Sequence, residues 1–567
     1  MAKQDATVNE LVRWIERGEI KLPEMQRGYV WRSTRVRDLI DSLYRGYPSG
    51  AILLWETDME VAEREFAVSQ GSSGFSSNKL LLDGQQRLTS LSAIIRGEPV
   101  HVRGRKAPID LLFNLEHPDK LDFTHDIDET TDSDGIEDEV DASQDEIDKR
   151  LQKMTFVVST KKLSRLPYWV SVTQVFKSSD NTPFLTSAGV TELSDPNVKK
   201  YTERLNKLRD IEKYTYRLDV LERSLSYEEV TEIFVRVNSL GAKLRGSDLA
   251  LAQITAKWRN SLALFDDVEK KCSEKGFRLE VGHIVRNLIV HVTGQSKFLT
   301  VNTLSQKRLQ DNWDIACEGL EFALDFLINN LKINSLSLLS SPYFPILISY
   351  FCEFHDCSLN KKQESGLKYW LLIASAKGRY SRGSSESMLD QDLSTIRNGG
   401  GVDGLLANLK RQFGRLDIEA DDLAGRNQRS AYFKTMFLAF KYDGAKDWTS
   451  RLDIAIDHSG SKHKLQFHHI FPKNYLKDRY STQEINDICN LAFIGGKTNR
   501  KISDKAPEHY IAEYVSSQGQ ESFDKQCIPI NEEILKKEQF RIFLERRRIL
   551  VMKRLNSFIR EISAFEA

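Results

Sequence analysis

The sequence predicts an α+β protein in three parts: an α/β domain over residues 1–245, a helical region over 246–430, and a third domain over 431–567 in which short strands precede a helix. Three observations carry this. In the first part, apolar residues alternate between helical spacing (Val8, Leu11, Val12, Ile15; Val36, Leu39, Ile40, Leu43) and short apolar runs such as AILLW and LLL. In the middle, ALDFLINNLKI and YFPILISYF read as buried helices. In the last, KLQFHHIFPKNYL sets His468 beside His469 ahead of the apolar run LAFI.

The elements follow in order. Gly18 stops the first helix, and Gly46, Pro48 and Gly50 turn the second into the strand AILLW. A Ser/Gly-rich loop leads to KLLLDGQQRL, a strand ending at Asp83-Gly84 and a helix opening at Gln85. YEEVTEIFVRVNSLGAKLRGSDLALAQIT gives a helix, a loop over Asn238–Gly241, and a second helix capped by Ser247 or Asp248. The C-terminal helix carries Arg546, Arg547, Arg548, Lys553 and Arg554, which either steer a nucleic acid through phosphate contacts or form a solvated face.

Composition bounds the function. The 567 residues suit roughly three domains, and 40% hydrophobic residues suffice for packed cores. No apolar run approaches the roughly 18 residues of a membrane span. The N-terminus lacks a signal-peptide core, and the six cysteines form no CxxC pair, which fits a reducing compartment. These features predict a cytoplasmic protein with no membrane partner. The net charge of zero hides an asymmetry. An acidic insertion over about 122–148 holds twelve acids and no Lys or Arg between His125 and Asp148, so the remainder is basic. The insertion reads as a solvated loop.

Two segments carry chemistry. Adjacent residues of a strand face opposite sides, but a bend can bring both histidines to one site. One imidazole can then ligate a metal while its neighbour acts as general base, the two parts phosphodiester hydrolysis requires. Asn490 precedes LAFI, and Asn499 stands before Arg500-Lys501 at the start of a helix. An amide carbonyl suits Mg²⁺ or Mn²⁺. The bland alternative is a pair of satisfied strand histidines. In DGQQR, the helix opening favours anions, Arg87 can fork onto phosphate, Gln85 or Gln86 can orient a water or a base edge, and Asp83 can hold Mg²⁺. A buried Asp–Arg structural pair explains these residues equally well. No Walker A loop is present, which excludes a P-loop NTPase.

The order His-His, Asn490, strand, Asn499, helix resembles the ββα-metal (HNH, His-Me finger) nucleases over about 462–512. With HHIFPK it is more closely similar to the C-terminal nuclease domain of GmrSD-type restriction proteins. PEMQRGYVW, YPSGAILLW, LLDGQQRLTSL and FVRVNSLGAKL resemble the N-terminal domain of that family over about 7–255, a domain related to the ParB/sulfiredoxin-like fold. At the C-terminal site the resemblance implies His469 as general base, His468 and Asn499 as metal ligands and Asn490 as a brace. Lys473 and Lys501 would hold phosphate. Where relatives often carry Asp, this chain has His468, which favours softer ions such as Mn²⁺ or Ni²⁺ over Mg²⁺. In the N-terminal domain it implies binding and hydrolysis of a nucleoside triphosphate, GTP or UTP, coupled to sensing of modified DNA. Gln26, Arg27, Asp83, Gln86, Arg87 and Asn238 fall on motif positions. Asp83 and Arg87 would serve phosphate and metal, Gln26 and Arg27 the second wall, and Arg236 and Asn238 its completion. Tyr29 and Trp31 either contact DNA or an apolar modification, or anchor the next helix; phosphorothioate-sensing relatives use an apolar recess in this domain. The implied protein is a nuclease of antiphage defence that nicks or cuts DNA, treating modified DNA as target or as cue. A nucleotide-dependent DNA clamp with an inactive nuclease motif and an RNA-cutting effector remain open, as does a homo-oligomer.

Overall fold

The computed structural model describes residues 2–23, 31–57, 63–64, 66, 79–98, 100–102, 108–118, 154–160, 163–192, 194–240, 246–381, 384–454, 456–457, 464–465 and 467–564. Gln26, Arg27, Tyr29 and the acidic insertion lie outside them. The chain divides into two compact units, one ending at Leu262 and the other running from Ala263 to Ala567.

The first unit holds strands β1 (Ala2–Thr7), β2 (Ile20–Pro23), β3 (Ile52–Glu56), β4 (Glu63–Arg64), β5 (Lys79–Asp83), β6 (Leu111–Asn114), β7 (Phe156–Val158), β8 (Trp169–Ser171) and β9 (Thr215–Leu221). Six form a mixed sheet in the order β1-β9-β3-β5-β2-β4, and three form a second sheet, β7-β6-β8. Helix α1 (Val8–Glu16) starts where predicted, because Thr7 closes a capping box: its Oγ1 accepts from Glu10 N at 3.2 Å and its own N–H donates to the Glu10 carboxylate at 2.7 Å. The buried face of α1 is Val8, Leu11, Val12 and Ile15. With α2 (Ser33–Tyr44) and α3 (Gln85–Ile95) it covers one face of the large sheet, where Ile52, Leu54 and Leu81 point. On the other face Leu53, Trp55, Leu80 and Leu82 meet Tyr227, Val230 and Phe234 of α4 (Tyr227–Leu240) and Ala252 of α5 (Gly246–Lys257). Burial of each such side chain contributes about 1.5–3 kcal/mol. The sheet is thus sandwiched between helices, which fixes the end of β5 against the start of α3.

The expected loop over Asn238–Gly241 is corrected in part: α4 continues through Leu240, its packing on the sheet coming from Tyr227, Val230 and Phe234. The following helix begins at Gly246, ahead of both predicted caps.

The second unit is helix-rich. It includes α6 (Val281–Thr293), α7 (Trp313–Leu331), α8 (Tyr343–Glu353), α9 (Lys361–Ala376) and α10 (Ala431–Tyr442). Short strands follow: β10 (Ile456–Asp457), β11 (Lys464–Leu465), β12 (His468–His469) and β13 (Leu491–Ala492). Three helices complete it, α11 (Gly496–Ile502), α12 (Pro507–Gln518) and α13 (Phe540–Ser563). α13 packs along α9 and α10, so the histidine strands and the helical region share one core. Cys352 and Cys357 form a disulfide, while Cys272, Cys317, Cys489 and Cys527 are thiols. Among the described residues no helix is long and apolar enough to cross a membrane.

The basic C-terminal helix departs from both of its sequence readings. Arg547 is fully buried, Arg548 pairs with Asp487 at 3.1 Å, and Arg554 pairs with Asp443 at 2.6 Å and with Glu561. Of the five basic residues, Arg546 and Lys553 are the ones exposed.

Candidate active site

β12 and β13 pair antiparallel, His468 opposite Ala492 and His469 opposite Leu491. Alternation along so short a strand separates the two rings: His468 is 6% exposed and His469 is half-buried. The His468 Nε2 is buried without a hydrogen-bond partner. Burial pushes this imidazole down to about 4, against the opposing pull of the neighbouring Asn499 amide and Asp504 carboxylate. His468 is therefore neutral at neutral pH, the form that ligates a metal. His469 Nε2 lies 3.0 Å from Asn486 Oδ1. With that oxygen as acceptor, the ring carries its proton on Nε2 and its lone pair on Nδ1.

The strand pair is held from several sides. Asn490 is fully buried; its Oδ1 accepts from Phe471 N at 2.8 Å and its Nδ2 donates to Phe471 O at 3.1 Å and Ile485 O at 2.9 Å. Its amide is committed to the backbone after the histidines. Asn490 stands here as a positioning residue rather than a group aimed at substrate. Tyr510 donates to Ile470 O at 2.8 Å. Behind β13, Arg547 donates to the carbonyls of Cys489, Leu491 and Gln526 at 2.9, 2.7 and 3.0 Å. Gln526 pairs with both backbone groups of Phe493, at 2.8 and 3.0 Å.

Asn499 sits half-buried on α11. The start of that helix is anchored by Asp447, which accepts from Gly495 N at 2.7 Å and Thr498 Oγ1 at 2.8 Å. Asp447 also accepts from Ser450 N at 2.7 Å, and these bonds together hold its carboxyl below the usual range despite burial. Asp447, Gln526 and Arg547 were not among the predicted site residues. The signal for Asp447 is local: DWTS is a turn in which a carboxylate bonds backbone N–H groups just ahead of it. Lys473 opens the short helix Lys473–Leu476, and Lys501 lies over the Tyr514 ring at 5.3 Å.

A divalent cation fits this donor set only as a ligand-poor site. Among the described residues no group of three His, Cys, Asp or Glu side chains could hold a metal. The orphaned Nε2 of His468 and the carbonyl of Asn499 are two donors. Cations of the Mg²⁺ class take a few protein ligands and fill the rest with water and phosphate oxygens.

At the DGQQR segment, Gly84 takes φ +103° between β5 and α3, and a Cβ there would collide with Ile52. Arg87 donates to the carbonyls of Ser49 and, at 2.8 Å, Ala51, and to Asp83 Oδ2 at 3.0 Å. It thereby clamps the Tyr47–Gly50 turn onto the end of β5. This is the geometry of the Asp–Arg structural pair. Asp83 stays open to solvent, its side chain 42% exposed. Gln86 Oε1 accepts from Trp31 N at 3.1 Å, while Gln85 is buried. Trp31 packs partly buried against the core, as an anchor does. Arg236 is exposed and pairs with Glu232 of its own helix. Asn238 lies on that helix, its side chain outside the described residues. Asp83, Gln86, Arg87 and Trp31 are thus brought together.

Residues 8–255 match the family model of the GmrSD restriction endonuclease N-terminal domain, and residues 419–547 match that of the GmrSD restriction endonuclease C-terminal domain. One chain with both domains in this order is a restriction-type endonuclease. It belongs to the GmrSD restriction endonuclease family. It is also similar to an uncharacterized protein of Methanocaldococcus jannaschii, 24% identical over 548 residues that cover 90% of this chain and 87% of the relative.

Proposed function

We propose that this chain is a divalent-metal-dependent DNA endonuclease of the ββα-metal type. Its cutting is governed by a nucleoside triphosphate, GTP or UTP, and by DNA modification sensed in a ParB/sulfiredoxin-like N-terminal unit. One observation supports the nuclease reading above the others: a buried, neutral His468 with an unpartnered Nε2 stands next to a half-buried His469 whose Nε2 is held by Asn486. A buried polar atom left unmet costs about 1–3 kcal/mol, a cost that a bound ligand at this nitrogen would relieve. Mg²⁺ or Mn²⁺, which His468 and Asn499 would hold, would supply the positive charge that offsets negative charge developing on the scissile phosphate. His469 Nδ1 takes the proton of the attacking water, and Asn486 keeps that tautomer. Asn490 fixes the loop so that both rings keep their places. Lys473 and Lys501 are assigned as phosphate contacts by the family resemblance. In the N-terminal unit, Asp83 is an exposed carboxylate available to a metal-bound nucleotide, with Gln26, Arg27, Arg236 and Asn238 assigned to the same pocket, and Tyr29 to DNA or an apolar modification, by family resemblance alone.

The test is relaxation of supercoiled plasmid, unmodified or carrying phosphorothioate or glucosylated bases, with Mg²⁺ or Mn²⁺ and with or without GTP. Nicking that His469→Ala abolishes supports the reading. DNA binding without relaxation by the unaltered chain under every condition overturns it in favour of a clamp.

A further inference from the structure

Asn486 stands at the end of the short helix Thr482–Ile485, half-buried, with its Oδ1 3.0 Å from His469 Nε2. Among the described residues this is the one hydrogen bond its side chain makes, so the place of its amide follows from its backbone. The residue that fixes that backbone is the next one. Asp487 is buried, and a carboxylate withdrawn from water is costly unless it is paired and hydrogen-bonded.

Its partners come from three directions. Oδ1 accepts from Cys489 N at 2.8 Å, capping the single turn Ile488–Asn490. Oδ2 accepts from Gly425 N at 2.9 Å and from the guanidinium of Arg548 on α13 at 3.1 Å. Those last two partners lie 62 residues before Asp487 and 61 residues after it. The Asp487 carbonyl in turn accepts from Asn490 N at 2.7 Å, and Ile488 N donates to Arg426 O at 2.7 Å. A second link from α13 meets the helix that carries Asn486, where Arg541 pairs with Glu484 at 2.7 Å. Arg541 is exposed, so water screens that pair, whereas the side chains of Arg548 and Asp487 are 16% and 3% exposed. The Asp487 carboxylate is the point at which distant parts of the unit grip the turn between Asn486 and Asn490.

We infer, resting on His469 as the general base, that Asp487 is a positioning residue of the cutting reaction: held by Gly425, Cys489 and Arg548, it sets the backbone that presents Asn486 to His469. A displacement of about 1 Å in such a group costs on the order of 10²-fold in rate. An interaction that acts in the transition state is read in kcat rather than in KM.

The experiment measures initial rates of plasmid nicking with Mn²⁺ over a range of plasmid concentrations, for the full unaltered chain, D487N, N486A and D487N/N486A. D487N keeps the volume and one acceptor oxygen but loses the charge that Arg548 meets. In D487N and in N486A, kcat is expected to fall about tenfold or more while KM stays within about twofold. Because both changes act through one bond, the double variant is expected to cut within about twofold of N486A. Should D487N lower Tm, R548Q, which breaks the same pair from the other side, carries the comparison alone and in the N486A background. An unaltered kcat in folded D487N or N486A, or a double variant whose loss is the product of the two single losses, overturns Asp487 as a positioning residue and leaves the nuclease reading standing. No nicking by the unaltered chain overturns that reading and the role of Asp487 with it.

Discussion

Two histidines of the second unit are buried to nearly the same degree, His291 at 7% exposure and His468 at 6%, yet their surroundings differ. On α6, His291 Nδ1 lies 2.7 Å from Glu353 Oε2 and its Nε2 lies 2.9 Å from Ser349 Oγ. Both ring nitrogens are spent on neighbours. The Ser–His–Glu order mimics a hydrolase triad, but Ser349 is fully buried and Gly319 presses on it so closely that a Cβ there would meet both Ser349 and His291. On β12, His468 Nε2 has no hydrogen-bond partner within bonding geometry, with the Asn499 amide its polar neighbour. Burial alone therefore does not set these two histidines apart; what their ring nitrogens meet does.

The largest effect that would sharpen this contrast is catalytic. His469→Ala is expected to lower plasmid cleavage by roughly 10²–10⁴-fold while leaving Tm unchanged. Retained cleavage would remove the base from this strand. Next, His291→Ala leaves Glu353 and Ser349 without their partner, and should cost about 2–4 kcal/mol in urea unfolding while the folded protein still cuts. A neutral result would break the comparison from the core side.

The third expectation is a pH effect on the metal-free protein. His468 titrates at about 4 when folded and near 6.5 when unfolded. Between those values the unfolded chain binds more protons, so stability rises with pH across that window. It is lost as the pH falls from about 6.5 to about 4, by up to about 3 kcal/mol. Unfolding of the unaltered chain and of His468→Leu, compared at both ends of the window, isolates this contribution; parallel curves would refute it. The smallest effect is the most diagnostic. At pH 7 without metal, His468→Leu should leave stability within about 1 kcal/mol or raise it, since it removes an unmet polar atom, while cleavage assayed with Mg²⁺ or Mn²⁺ is abolished. A loss comparable to that of His291→Ala would make His468 a structural residue too.

Much of this was legible in the sequence because it is local. Apolar spacing specifies α1, and Asp83-Gly84 marks the passage from β5 into α3. The order of His468, His469, Asn490 and Asn499 foretold a strand pair followed by a helix. What escaped depends on distant partners. Asp447 reaches Gly495 across 48 residues, and Gln526 reaches Phe493 across 33. Read along the chain, Arg547 is one of three consecutive arginines, and nothing local says which of them turns inward. Arg87 looked like a phosphate fork because its carbonyl acceptors, Ser49 and Ala51, belong to another segment.

Arg547 carries a consequence for synthesis. The carbonyls it grips belong to residues 489, 491 and 526, all made earlier than the arginine itself. Domains fold as units during synthesis, and the backbone around β13 has its guanidinium contacts only once residue 547 has been made. A nascent chain halted before residue 547 would hold every predicted catalytic side chain without the clasp behind them.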